Sequence, residues 1–279
     1  MTAIFPYNQN TYDAMRFKVF IFLCLHTFFS PIQAQLWQAP QPISSNKIIQ
    51  AYFAEAFHYP ETVTLKKSNG KIIISFHVDT QGNTTDFQVV KGQDEQLIAE
   101  AIRLARKILW KPATRNGSPV ESQAEIVVPY HSKQRLKQTS PIELNVIQYP
   151  ILSDTSNKIY IFANVDQLPH ALLPPKYRNL NHYIASSLKY PESAIAAGIE
   201  GVVQLGLIVE EDGLSSNIHI INSVGGGCDQ EAIRILQSIK WVPAIKDSLY
   251  VRSRSQIEVA FRLKEHQQQQ IPNRQSGSL

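Results

Sequence analysis

Two cysteines in 279 residues allow at most one disulfide, so no disulfide framework can hold this fold together. Stability must come from a hydrophobic core, which a domain of about 80 or more residues can build. Charge is also scarce. Only 18% of residues are charged, Lys and Arg exceed Asp and Glu by four, and no basic cluster stands out. A dedicated nucleic-acid binder carries a basic stripe, so nucleic acid is not an expected partner. The spacings of catalysis are missing too. The eight histidines are scattered without HExxH or His-x-His spacing, and no Ser/His/Asp or Cys/His set can be assigned. His77 and His219 fall on different strands and read as polar-face residues. The expectation is a protein that is not an enzyme and needs neither cofactor nor metal. What is abundant is apolar sequence: 43% hydrophobic residues exclude a mainly disordered or fibrous chain.

Long apolar runs are represented once, by residues 19–29 (VFIFLCLHTFF). This is about half of the roughly 20 residues that span a bilayer. Arg16 and Lys18 precede the run, and Ala34 offers a small residue at its exit. These are the three parts of a secretory signal, so residues 1–34 are expected to be removed, with Met15 a candidate true start. Cys24 lacks the small residues of a lipidation box. Cleavage would take away Asp13, Arg16 and Lys18, leaving a net charge of +3 and a lone cysteine, Cys228. The expected location is periplasmic; the alternative is an inner-membrane anchor with the chain facing the periplasm.

An internal repeat sets the architecture. Tyr59-Pro60-Glu61 recurs as Tyr190-Pro191-Glu192, an offset of 131. The same offset pairs Gly70 with Gly201, Gly82 with Gly213, Glu100-Ala101-Ile102-Arg103 with Glu231-Ala232-Ile233-Arg234, and Trp110 with Trp241. Over 72 ungapped positions, 18 are identical. Each copy reads helix, strand, strand, helix, strand. Residues 48–58 and 179–189 carry apolar residues at helical spacing. Ile72, Ile74, Phe76 and Val78 alternate as a strand, as do Val203, Leu205, Leu207 and Val209. Gly82 and Gly213 mark hairpin turns. The return strand points Phe87 and Val89 inward, or Ile218 and Ile220. Asp94 and Asp229 are candidate N-caps, and Trp110 and Trp241 close the second helix.

The expected fold is α+β: two tandem copies of a small domain, each a three-stranded antiparallel sheet of order 2-1-3 with two helices on one face. Expected boundaries are 48–130 and 159–263, with a linker at 131–158 that includes a strand-like piece, 142–149, and a disordered polar tail at 264–279. Strands two and three are both edges, and an edge invites pairing with another chain.

Tyr190-Pro191-Glu192, Ile199-Glu200-Gly201, the Gly213 hairpin, Gly225-Gly226-Gly227-Cys228-Asp229, Glu231-Ala232 and Trp241-Val242-Pro243-Ala244 together resemble the C-terminal domain of TonB, in the form common in Bacteroidetes-type proteins. Val165-Asp166-Gln167-Leu168-Pro169 resembles the lead-in of such domains. The resemblance covers about 159–263, and more thinly 48–130. It assigns Tyr190, Pro191, Gly201, Gly213, Gly226, Trp241 and Pro243 structural roles. It implies an energy-transducing adapter between a proton-driven inner-membrane motor and outer-membrane receptors. A receptor's extended segment would add to the sheet along the last strand, at Gln256, Ile257, Glu258, Val259, Ala260 and Phe261, by β-augmentation. Two departures make direct coupling to the motor doubtful: there is no convincing membrane anchor, and Gln38-Ala39-Pro40-Gln41-Pro42 is all there is of a Pro-rich spacer.

The copies are not equivalent. Pro129 stands where the second copy has Ala260, and proline cannot donate to an edge pairing. The first copy also has Gly92-Gln93-Asp94-Glu95 in place of the three-glycine loop. The second copy is therefore the expected binder and the first a degenerate structural module. The glycine loop lacks the Lys-Ser or Lys-Thr of a phosphate cradle, and Asp229 opposes an anion, so it reads as a plain loop. Glu210-Glu211-Asp212 reads as a solvated hairpin tip. Cys228 reads as a small loop residue, with a reactive thiol or disulfide-linked homodimer as the minor alternative. The competing functional reading is a cell-envelope scaffold that binds peptidoglycan or self-associates through its edge strands.

Overall fold

The computed structural model describes residues 36–59, 69–131 and 152–263. The expected signal segment 1–34, the strand-like piece 142–149 and the tail 264–279 lie outside them. Two mixed α/β units follow one another. The first runs β1 (Trp37–Gln38), β2 (Gln41–Pro42), α1 (Asn46–Ala56), β3 (Asn69–Val78), β4 (Thr84–Lys91), α2 (Glu95–Ala105), β5 (Trp110–Lys111), β6 (Ala113–Arg115), β7 (Ser118–Val120) and β8 (Ser122–His131). The second has β9 (Leu152–Ser153), β10 (Ile159–Tyr160), a 3₁₀ turn (Phe162–Asn164), β11 (His170–Leu172), α3 (Leu180–Ser187) and α4 (Glu192–Ala196). It continues through β12 (Gly201–Val209), β13 (Ser215–Asn222), α5 (Cys228–Gln237), β14 (Lys240–Val242), β15 (Ala244–Lys246) and β16 (Leu249–Phe261). The main strands lie in the order β4-β3-β8 and, correspondingly, β13-β12-β16, antiparallel throughout.

Side-chain alternation builds both cores. Ile72, Ile74, Phe76 and Val78 of β3 pack with Tyr52 and Phe53 of α1 and with Leu97, Ala101 and Leu104 of α2. Val203, Leu205, Leu207 and Val209 of β12 pack with Ile184 of α3 and with Ala232, Ile235 and Leu236 of α5. Each fully buried Leu, Ile or Phe stabilises the fold by roughly 1.5–3 kcal/mol.

The identities shared at offset 131 have visible causes. Gly82 and Gly213 turn with φ of +87° and +78°, and a Cβ there would lie 2.2 and 2.3 Å from the carbonyl oxygens of Trp110 and Trp241. Only glycine has both the conformation and the room. The tryptophans belong to short strands that follow helices ending at Ala105 and Gln237, rather than to the helix ends themselves. The Glu-Ala-Ile-Arg motif is a clamp. Glu100 accepts from the His58 backbone N–H at 2.8 Å, and Arg103 donates to the Ala56 carbonyl at 3.0 Å while bonding Glu100. In the second unit Glu231 accepts from Lys189 N–H at 2.6 Å and Arg234 donates to the Ser187 carbonyl at 2.8 Å. Helices α2 and α5 thus satisfy backbone groups at the ends of α1 and α3 that those helices leave orphaned.

Four details differ from the sequence reading. Asp94 caps α2 through bonds from the Gln96 and Leu97 amides, but Asp229 does not cap α5. Three consecutive glycines at positive φ end the loop earlier, so Gly227 is the N-cap, and the Asp229 carboxylate instead accepts from Val224 N–H and Ser223 Oγ. Val89 shares the face of its partner Ile74 but is exposed on the edge strand β4. The second sheet has six strands rather than three. Its last strand is 13 residues long, and its first residues pair with β15 on one side and with β9 and β10, in parallel, on the other. Residues 152–153, assigned by sequence to the linker, therefore belong to the second sheet.

Burial alone would raise the Glu100 carboxyl, but the Arg103 guanidinium and the bonds from His58 override it and hold it down at about 2. A carboxyl depressed in the folded state contributes stability above its unfolded value near 4.5 and loses it as the pH falls toward about 2. Thermal melts of the wild type and Glu100→Gln should therefore differ most at neutral pH. The two should converge between pH 4.5 and about 2; a gap that stays constant across that window would contradict the clamp.

Candidate protein-binding edge

Each main sheet has two edges, and the units dispose of one of them together. In the second unit the β13 edge faces α1 of the first. Ser44 Oγ donates to the Ile218 carbonyl at 2.7 Å, and Ile48 of α1 enters the second core. Asn217 Nδ2 donates to the Lys107 carbonyl at 2.9 Å, and its Oδ1 accepts from Leu109 N–H at 2.8 Å. At the centre lie buried charges. Glu210 receives Arg252 in a two-pronged bond at 2.7 and 3.0 Å and lies 3.2 Å from Lys107 Nζ. Lys107 also pairs with Glu211, and Arg252 Nη2 donates to the Lys107 carbonyl at 2.9 Å. Burial would raise the Glu210 carboxyl, but Arg252 and Lys107 together hold it below its usual value. The reading of Glu210 and Glu211 as a solvated tip is thus corrected: Glu210 is fully buried between the units, and of the three acids only Asp212 is exposed. The one trace of this contact in the repeat is that Lys107 answers to Ser238 and Arg252 to Glu121, a difference that carries no meaning until the units are seen together.

The outer side of β16 is occupied only at its start. β10 ends beside Arg252 and Ser253, and from Arg254 onward no described strand pairs there. Gln256, Ile257, Glu258, Val259, Ala260 and Phe261 pair with β12 on their inner side, in register with Gly206 through Gly201. Val259 and Phe261 point into the core, while Gln256, Glu258 and Ala260 are exposed.

The first unit reveals which amides face out. Pro129 opposes Lys71 in β8, the same register as Ala260 opposite Val202. Proline persists within a ladder where its nitrogen points to the unpaired side. In antiparallel strands a residue's N–H and C=O point the same way, alternating along the strand, so the groups of positions 125, 127 and 129 face outward. The Gln50 side chain agrees, donating to the Val127 carbonyl at 3.0 Å. By the repeat, Gln256, Glu258 and Ala260 present their backbone groups to the free side of β16, and none of these positions is proline.

Beside the start of this free edge lies an open groove of about 970 Å³ between the lead-in and β16. Sequence reasoning treated the lead-in as a motif only. The structure pins it in place: Asp166 and Gln167 bond the Ile245 backbone, and Asp166 accepts from Lys246 Nζ at 2.9 Å. The groove's signal in the sequence was faint: Phe162 and Leu168 are bulky apolar residues outside any helical or strand periodicity.

The motif residues sit behind this edge. Tyr190 packs edge-on against Phe261 and donates to the Ile199 carbonyl at 2.6 Å. Pro191 caps α4, and a Cβ on Gly226 would lie 2.8 Å from Ile199 Cδ1. Gly201 begins β12 opposite Phe261, and Pro243 is buried between β14 and β15. Trp241 alone among them reaches the groove. Cys228 is fully buried; burial and the neighbouring Asp229 push its thiol up, which opposes both a reactive thiol and a disulfide between chains. Among the described residues no group of His, Cys, Asp and Glu could hold a metal, and no helix is long and apolar enough to cross a membrane.

This geometry defines a class: a small module of mixed helices and sheet with one sheet edge left unpaired by the described residues. The family model described as "Gram-negative bacterial TonB protein C-terminal" matches residues 55–131 and 186–263, more than half of the chain. The chain belongs to that family, in tandem. The family is one of non-catalytic protein-interaction domains of the cell envelope that engage outer-membrane receptors. No curated protein matches the chain. Among solved structures, it is similar to the solution structure of the Helicobacter pylori TonB C-terminal domain. Identity is 22% over 30% of this chain and 90% of that one, with a TM-score of 0.26.

The Glu210→Leu substitution leaves Lys107 and Arg252 with a lost partner in a buried contact and should cost about 3–5 kcal/mol in urea unfolding. Replacing Lys107, Glu210 and Arg252 together by Met, Leu and Met should recover much of that loss. Equal stability of Glu210→Leu and wild type would show that the charges are solvated.

Proposed function

We propose that the chain is a periplasmic TonB-like adapter whose second unit captures an extended segment of an outer-membrane receptor on the free edge of β16. The carrying observation is the unpaired row at Gln256, Glu258 and Ala260, open in the second unit and interrupted by Pro129 in the first. Main-chain bonds to that row would supply affinity, and the exposed side chains between them selectivity. Lys107, Glu210 and the α1 face cover the opposite edge, which directs pairing to one side of the sheet. The first unit serves as a structural partner that holds β13. Export through a cleaved signal fits this role. Self-association through β16 is the second reading, since the same free edge could pair with a second copy.

The test uses the full chain and synthetic N-terminal segments of the outer-membrane receptors of the same cells. Ala260→Pro should fold, because the first unit already carries proline at that register, and should weaken segment binding about tenfold or more. Unchanged binding would overturn the edge reading. Concentration-dependent dimers abolished by Ala260→Pro, without segment binding, would favour self-association. Cell fractionation with N-terminal sequencing should find the mature chain starting near Gln35 in the periplasm; an intact start in the inner-membrane fraction would restore direct motor coupling.

A further inference from the structure

The groove beside the free edge is more than a gap in the packing. Ile161 is 48% exposed, Phe162 74% and Leu168 58%, three bulky apolar side chains on one side of it. Exposed apolar surface rimmed by polar groups marks an interaction site. The opposite wall is β16 itself at Ser253–Ile257, and the charges on the walls are of one sign: Arg178 and Arg254 line the groove, both exposed, with no Asp or Glu among its lining residues. Among the described residues neither Arg178 nor Arg254 forms an ion pair.

The first unit carries the same feature at the same offset, in a different state. Its groove, about 550 Å³, is lined by Ile49, Trp110 and Ile126 where the second has Leu180, Trp241 and Ile257. There Glu125 replaces Gln256, placing a carboxylate in the groove, and Gln50 bonds the outward Val127 carbonyl. One groove is open, apolar and positive; its twin is smaller, carries a carboxylate and is partly capped.

We infer that the groove of the second unit is a specificity subsite for an extended protein segment that carries a large apolar residue next to a carboxylate. The apolar side chain lies among Phe162, Leu168 and Ile257, and the carboxylate meets Arg178 and Arg254. The segment continues from the groove onto the outward groups of Gln256, Glu258 and Ala260. This rests on the edge-pairing function and adds what selects one segment over another: backbone pairing is blind to sequence, whereas a desolvated apolar contact beside a charge-assisted bond is not.

The test is selection of a random dodecapeptide library on the full chain, followed by affinity measurements with the selected peptides on three variants. The peptides should be enriched in Phe, Trp or Leu adjacent to Asp or Glu. They should bind about tenfold more weakly to Phe162→Ser and to the Arg178→Ser/Arg254→Ser double variant, with thermal stability unchanged because all three side chains are exposed. The arginine variant alone should lose the dependence of binding on salt. Selected peptides without that pairing, or affinities within twofold of wild type on both groove variants, overturn the subsite. Ala260→Pro separates the two claims: peptides that weaken on the groove variants but not on Ala260→Pro sustain the subsite and refute edge pairing. Peptides that weaken on Ala260→Pro alone do the reverse.

Discussion

The paired charges of Lys107, Glu210 and Arg252 are the contact on which the tandem arrangement turns. Each is buried, and each would be costly alone. Together, with Glu211, they balance two cations against two anions and bring the Lys107 carbonyl into bonds from both Arg252 and Asn217. Glu210 and Arg252 pair within the second unit, whereas Lys107 comes from the loop after α2 of the first, so Lys107 and Glu211 are matched only when that loop lies against the hairpin between β12 and β13. Ile48, reaching into the second core, and Leu214, packed against the first, add apolar contact on either side. A sheet that would otherwise offer two edges to other chains offers one.

The same repeat unit is spent differently in the two halves. The Glu-Arg clamp, the glycine turn under a tryptophan carbonyl and the buried alternating strand recur at matching positions because each solves a local packing problem that any copy must solve. Most core positions differ only in which apolar residue fills them, as at Phe76 and Leu207, whereas several surface positions differ in chemistry. Pro129 against Ala260, Glu125 against Gln256, and Gln50 against Asn181 all lie along the last-strand edge. Lys107 against Ser238 and Arg252 against Glu121 lie at the contact between units. This division fits the proposed roles of a binding half and a supporting half.

Much of the fold was legible in the sequence, since an offset repeated without gaps carries its own alignment and period-two strands are unambiguous when both copies show them. The edge residues 256–261 were placed by that pattern together with the family resemblance. The buried role of Glu210 was not legible, because an acidic triplet at a hairpin tip is ordinarily solvated, and only docking of the other unit takes it out of water. Asp229 failed as a cap because three glycines at positive φ shift the helix start by more than composition reveals. The strands β9 and β10 were missed because a two-residue parallel pairing leaves no periodicity. The groove was missed for a related reason: its walls come from the lead-in and from β16, about 90 residues apart in sequence.

In the proposed function a partner segment becomes an added strand on β16 and nowhere else. Amide hydrogen exchange on the full chain, with and without a bound receptor segment, reads this directly. New protection should appear at Gln256, Glu258 and Ala260, whose N–H groups face the free side, with Val259 and Phe261 unchanged because they already pair with β12. Protection that appears instead along β4 or β8, or none on β16 while the segment remains bound, would contradict it.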